Sequence, residues 1–170
     1  MATRKLNRLA TQVAKLTSPL PPAYKPWGYT FAFDMMVKLA GTARIWVEEM
    51  SDQRAVVHLK NRRRVQNHIG GIHACGMALA AESATGIVVG MNVPDSALPL
   101  CKSMKVNFVR RCEGDIKAEA HLTEEQLTKI HTEEKGDVLV AVQVTDSSGK
   151  SPITAEMVWA WVPKVRKEKK

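Results

Sequence analysis

No apolar run in this sequence approaches the roughly 20 residues that a membrane-spanning helix needs. Cysteine is scarce: Cys75, Cys101 and Cys112 form no C-x-x-C pair, and three thiols cannot all be matched within one chain. That pattern does not read as a disulfide framework and points instead to a reducing compartment such as the cytoplasm. There is no G-x-S-x-G elbow and no phosphate-cradling glycine loop. The five histidines include no H-x-x-x-H pair, and His73-Ala74-Cys75 alone is too little for zinc, so no metal site is expected. Acidic residues are scarce at both ends. Residues 1–33 hold five Lys/Arg and no acid, and residues 164–170 hold five against one. The net charge of +8 therefore belongs to the termini, and the interior is nearly neutral. The short runs Arg62-Arg63-Arg64 and Arg110-Arg111 and the C-terminal tail lack interleaved aromatics, so no specific nucleic-acid partner is expected.

What is present suits one globular domain: 170 residues, 45% hydrophobic and 25% charged, enough to bury a sizeable core. Leu6, Leu9, Val13 and Leu16 fall at helical spacing among Arg4, Lys5, Arg8 and Lys15. The simpler reading is an N-terminal helix packed on the domain. The alternative is a transit peptide leading to the mitochondrial matrix, which its poverty in serine argues against. Prolines 19, 21, 22 and 26 end that helix, and a second helical stretch is expected over Phe31–Leu39, stopped by Gly41. Ala43–Met50 and Arg54–Leu59 read as strands joined by a tight turn at Ser51-Asp52-Gln53. Ile72–Val89 reads as an Ala-rich helix frayed by Gly86, and Pro94 and Pro99 mark a loop.

Lys102–Arg110, Asp115–Leu122, Val138–Thr145 and Ile153–Val162 follow as strands, the third closed by Asp146-Ser147-Ser148-Gly149. Between them, Thr123 caps a short helix running toward Gly136. Two strands, a buried helix and several antiparallel strands make an α+β architecture with a sheet wrapped around one long helix. The expected organisation is a helical extension over 1–42, a sheet-and-helix domain over 43–162, and a basic tail over 163–170.

The most informative stretch is Asn67-His68-Ile69-Gly70-Gly71-Ile72-His73-Ala74, which leads into the helix and, nine residues after His73, to Glu82. An acid on an apolar helix wall is costly unless it finds a partner or does chemistry. Its neighbours Ala78, Leu79 and Ala81 argue against a solvated salt bridge, and desolvation should raise its pKa into the range of a general base.

The hairpin, the N-x-x-G-x-x-H turn, the helix with its acid and the antiparallel strands together resemble the hotdog-fold acyl-CoA thioesterases, the phenylacetate-degradation type in particular, over about residues 43–162. The resemblance implies hydrolysis of an acyl thioester, with no cofactor beyond the coenzyme A of the substrate. It implies that Asn67 and the backbone N–H of Ala74 polarise the thioester, and that Glu82 activates water or attacks the carbonyl. His73 holds the turn in place. Gly70, Gly71, Cys101 and Ser103 are placed along the substrate. Members usually carry glycine at the position of Ala74, which keeps the donor but narrows the space. Homodimers with shared sites, or a dimer of such dimers, are implied. Arg62, Arg63, Arg64 and Lys102 could meet the phosphates of coenzyme A, although a solvated face is the simpler reading of a charge run. The dehydratase branch has a proline-rich motif and the hydratase branch D-x-N-x-x-H, both absent. A non-catalytic acyl-ligand or partner-binding module is the alternative, though 1–42 is too short and proline-broken to hold a helix-turn-helix effector.

Overall fold

The computed structural model describes residues 6–164. The basic residues of 1–5 and 165–170 lie outside them. The first helix, α1 (Arg8–Thr17), starts at Asn7, whose side chain serves two elements at once. Its Oδ1 accepts the Ala10 N–H, while Nδ2 donates to the carbonyls of Gly90 and Val93, both at 2.8 Å. That pin rotates the helix so that Ala10, Val13 and Thr17 are buried and Leu6 and Leu16 stay exposed. The helix packs on the domain as the simpler reading held, but on a smaller-residue face than the leucine stripe.

The second helical stretch is longer than expected and divided. Helix α2 (Lys25–Met36) takes Pro26 into its first turn, where a missing N–H costs nothing. Val37, at φ −116° and ψ 89°, separates it from α3 (Lys38–Ala43). Gly41 does not end α3. The chain leaves the helix at Arg44, which is left-handed at φ 58° and ψ 51° and returns its N–H to Ala40 and Gly41.

Strands β1 (Trp46–Met50) and β2 (Arg54–Leu59) form the expected hairpin, with the Ser51 hydroxyl accepting the Arg54 N–H. A turn and the central helix α4 (Ala74–Gly90) follow, then β3 (Ala97–Phe108), β4 (Ile116–His121), α5 (Glu124–Thr132), β5 (Gly136–Asp146) and β6 (Ile153–Pro163). The six strands make one antiparallel sheet in the order β1-β2-β4-β5-β6-β3, and α4 packs against five of them. Nine of the 17 residues of α4 are buried, as an all-round apolar helix requires. Among the described residues no helix is long and apolar enough to cross a membrane.

Three local expectations are corrected. Helix α4 runs through Gly86 without fraying, because the glycine is where the Trp159 ring seats. A Cβ there would come within 2.9 Å of the ring, whose Nε1 donates to the Thr85 hydroxyl at 2.9 Å. Pro99 lies within β3 rather than in a loop, at the sheet edge, where a strand tolerates a missing donor. Helix α5 stops at Thr132, short of Gly136; its capping box of Thr123 and Gln126 is complete, and the Glu133 carbonyl beyond it accepts Trp161 Nε1 at 2.9 Å. Along the free edge of β3, Leu98, Leu100, Met104 and Phe108 are exposed.

Candidate active site

The turn before α4 is built around Asn67. Its Oδ1 accepts the N–H groups of Ile69 and Gly71 at 3.0 and 3.1 Å, and its own N–H donates to the Gly71 carbonyl at 2.8 Å. Gly70 sits at φ +79°, a conformation that glycine adopts without a Cβ penalty. Its carbonyl accepts Asn61 Nδ2 at 3.0 Å. The two glycines thus shape the turn, and Gly71 is buried within it. The carboxamide oxygen of Asn67 is committed to this turn, whereas its Nδ2 has no acceptor among the described residues.

His73 closes the turn. Its N–H donates to the Val65 carbonyl at 2.8 Å, and its Nδ1 caps α4 by accepting the Cys75 N–H at 3.1 Å. Capping leaves the next amide, that of Ala74 at the first position of α4, without an acceptor among the described residues. The helix dipole adds partial positive charge at this end. Asn67 Nδ2 and the Ala74 N–H are therefore two unspent donors at one end of a buried helix, an arrangement able to hold an oxyanion.

Glu82 stands eight residues further along α4, about 12 Å at the helical rise. It is half-buried, and burial pushes its carboxyl above the ordinary glutamate range. Its carboxylate has no hydrogen-bond or ion-pair partner among the described residues. It lines a cavity of about 180 Å³ with Phe33, Met36, Val37, Ile87 and Trp159. None of Asn67, His73 and Ala74 lines that cavity, so a single chain does not bring the donors and the acid together.

Cys101 is brought to Glu82. Burial raises its thiol first, and the negative charge of Glu82 raises it further. Ser103 is not its companion. A register slip between Cys101 and Ser103 pairs Cys101 with Trp159, on the helix side of the sheet, and Ser103 with Val158 on the opposite side. Arg62, Arg63 and Arg64 are exposed and, with Arg44, line a concavity of about 440 Å³. Arg64 is tied down through its guanidinium to the Thr42 carbonyl at 3.2 Å.

Residues 27–162 match the domain of unknown function DUF4442. This chain belongs to the DUF4442 family. No curated protein matches it at a significant level. Among solved structures it is similar to PA5026 of Pseudomonas aeruginosa, a protein of unknown function described as a probable thioesterase. The TM-score is 0.72 at 20% identity, covering 79% of this chain and 93% of that one. It is also similar to the thioesterase HI1161 of Haemophilus influenzae, with TM-score 0.64, 9% identity and coverage of 82% and 94%. A thioesterase family protein of Silicibacter pomeroyi gives 0.65, 14%, 85% and 100%. At these identities the likeness is one of fold, and the fold of this DUF4442 chain is the hotdog fold.

Several residues around the DUF4442 site escape a reading of the sequence. Phe33 and Met36 come from α2 and Val37 from the break after it, all outside the motif, and Trp159 comes from the last strand. Ser83, beside Glu82, is 1% exposed with its hydroxyl unpartnered. Arg44 joins the arginine run only through the fold, its one local signal being a position just after a helix where glycine is usual.

Proposed function

We propose that this DUF4442 protein hydrolyses an acyl thioester, with coenzyme A as the thiol carrier, in sites each shared between two copies of the chain. The observation that carries the reading is the half-buried, unpaired Glu82 in an apolar cavity, about 12 Å along α4 from the unspent Ala74 N–H. That spacing suits a dimer in which Asn67 and Ala74 of one chain face Glu82 of the other. The exposed apolar edge of β3 suits continuation of the sheet across such a pair.

In this mechanism the Glu82 carboxylate takes a proton from water, and the hydroxide so formed attacks the thioester carbonyl carbon. The developing oxyanion accepts from the Ala74 N–H and Asn67 Nδ2, both fixed in advance by the turn and by His73. Collapse breaks the carbon–sulfur bond, and the proton held by Glu82 passes to the departing thiolate, giving acid and thiol. The raised pKa of Glu82 brings its basicity closer to neutral pH, where proton abstraction is most effective. The apolar walls suit an acyl chain, and the names of the structural neighbours as thioesterases support the same class. The arginine concavity favours a phosphate-bearing carrier.

The test is a panel of acyl-CoA esters of increasing chain length with detection of the free thiol. Turnover of one or more members is expected. Absence of thiol release across the panel, with folded protein verified, overturns hydrolysis and leaves a ligand-binding module.

A further inference from the structure

A cavity of about 680 Å³ opens between α2, α3 and β1, lined by Trp27, Asp34, Arg44, Trp46, Lys60 and Arg62 among others. Its size is that of a drug-sized ligand site, and its walls combine three kinds of recognition. The rings of Trp27 and Trp46 meet edge to face, 4.8 Å between centroids and 84° between planes, and Trp27 remains 65% exposed. Arg44, Lys60 and Arg62 bring positive charge, and none has a carboxylate partner among the described residues. Asp34 contributes an Oδ1 that is buried and has no hydrogen-bond partner, and burial raises its carboxyl.

The cavity does not end at its cations. Arg44 and Arg62 also line the 440 Å³ concavity that holds Arg63 and Arg64, so aromatic and cationic compartments form one groove with two shared arginines. Between Lys60 and Arg62, Asn61 holds the Gly70 carbonyl, so the groove adjoins the Asn67 turn. Arg44 occupies its place at a backbone cost. At φ 58° it is the one non-glycine residue with positive φ among those described, at a helix exit where glycine relieves the strain. A residue that fold alone would make glycine is instead one of the two side chains common to both compartments.

Inorganic phosphate would use the arginines but not the tryptophans, and an acyl chain would leave Asp34 unsatisfied. A flat ring with an exocyclic amine, joined to several phosphates, uses all three. We propose that this groove binds a purine nucleotide, with the ring at Trp27 and Trp46, its amine donating to Asp34, and its phosphates at Arg44, Lys60 and Arg62 with Arg63 and Arg64 beyond. Two sources carry that chemistry: the 3′-phosphoadenosine diphosphate end of coenzyme A, and a free purine nucleotide. Assigning the groove to coenzyme A rests on the thioesterase reading and deepens it, since the site then selects CoA esters over acyl-carrier-protein esters. The nucleotide site itself stands without that reading.

The experiment titrates the full chain with desulfo-coenzyme A, adenosine 3′,5′-bisphosphate, ATP and 4′-phosphopantetheine, followed by tryptophan fluorescence and calorimetry. Saturable binding of the nucleotides, weaker or absent binding of phosphopantetheine, and a loss of about tenfold or more on Trp27→Ala are expected from base–indole stacking. Arg44→Gly separates binding from folding: its melting temperature should equal or exceed the wild type while nucleotide affinity falls. Preference for desulfo-coenzyme A and the bisphosphate assigns the groove to CoA, whereas preference for ATP assigns it to a free nucleotide; both support the site. Nucleotide binding that persists while no acyl-CoA is hydrolysed sinks the thioesterase reading and spares the groove. Hydrolysis with equal KM for acyl-CoA and acyl-phosphopantetheine, and no nucleotide binding at millimolar concentration, overturns the groove and spares the thioesterase. Binding unchanged in both Trp27→Ala and Arg44→Gly also overturns it.

Discussion

Glu82→Gln exchanges one carboxylate oxygen for an amide on the wall of α4 and preserves the side chain's shape. Two effects of opposite sign follow. If the carboxylate is the base that activates water, its loss should lower turnover by ~10²–10⁴, which is ~2.7–5.4 kcal/mol of barrier. Stability should move the other way. Burial raises the folded-state pKa of Glu82 above its unfolded value, so folding favours the protonated form. Its contribution is therefore fully present below the unfolded pKa of about 4.3 and is lost as pH rises through the raised folded value. Gln carries no charge to desolvate. The variant should melt at the same temperature as the wild type or higher at pH 8, with the advantage shrinking toward pH 4. For the wild type, kcat/KM should fall on the acidic side at a pH above the ordinary glutamate range, because only the ionised form takes a proton. Steady-state kinetics with thiol detection, beside thermal melts at both pH values, measure all of this. Near-normal turnover of the Gln variant refutes the catalytic role, and a lower melting temperature at pH 8 refutes the unpaired, desolvated carboxylate.

Gly86→Ala would stabilise a free helix by about 1 kcal/mol, yet here the new Cβ lies 2.9 Å from the buried Trp159 ring. Overpacking of this kind costs about 1–3 kcal/mol, so a net loss of stability is expected in denaturant unfolding, and a gain would show that the ring yields freely. Asp146 is pushed up by burial but held far below the ordinary aspartate range by the Ser148 hydroxyl, the Glu113 N–H and Arg110, which outweigh it. Its contribution is present above the unfolded pKa of about 3.9 and lost as pH falls toward the folded value. Asp146→Asn should therefore melt lower than the wild type at pH 7 with the gap closing in acid; a gap independent of pH would refute the linkage.

The parts legible in the sequence are those whose causes are local. The strand-like run after the Ser51-Asp52-Gln53 turn marks β2 at Arg54–Leu59, and the Asn67–Gly70 turn announces itself because an Asx turn and a left-handed glycine need those residue types at that spacing. The apolar, alanine-rich α4 and its lone acid are equally plain. The misread parts depend on distant partners. Gly86 reads as a helix breaker until Trp159, far along the chain, is found seated on it. The leucine stripe of α1 gives way to a smaller face because Asn7 reaches the end of α4. Cys101 and Ser103 look equivalent in sequence, and only the bulge in β3 separates them. The groove of Trp27, Trp46 and Arg44 has no local signature beyond an arginine standing where a helix exit favours glycine.

The claim that each site is shared between chains has a direct test. Asn67→Ala and Glu82→Gln proteins, each inactive alone, are mixed in equal amounts under conditions of subunit exchange, and thiol release is followed. In a two-fold symmetric dimer, half of the randomly paired dimers are mixed and each mixed dimer has one intact site, so about one quarter of wild-type activity should return. No recovery, with exchange verified by native mass spectrometry, would place both residues in the site of a single chain and contradict the account.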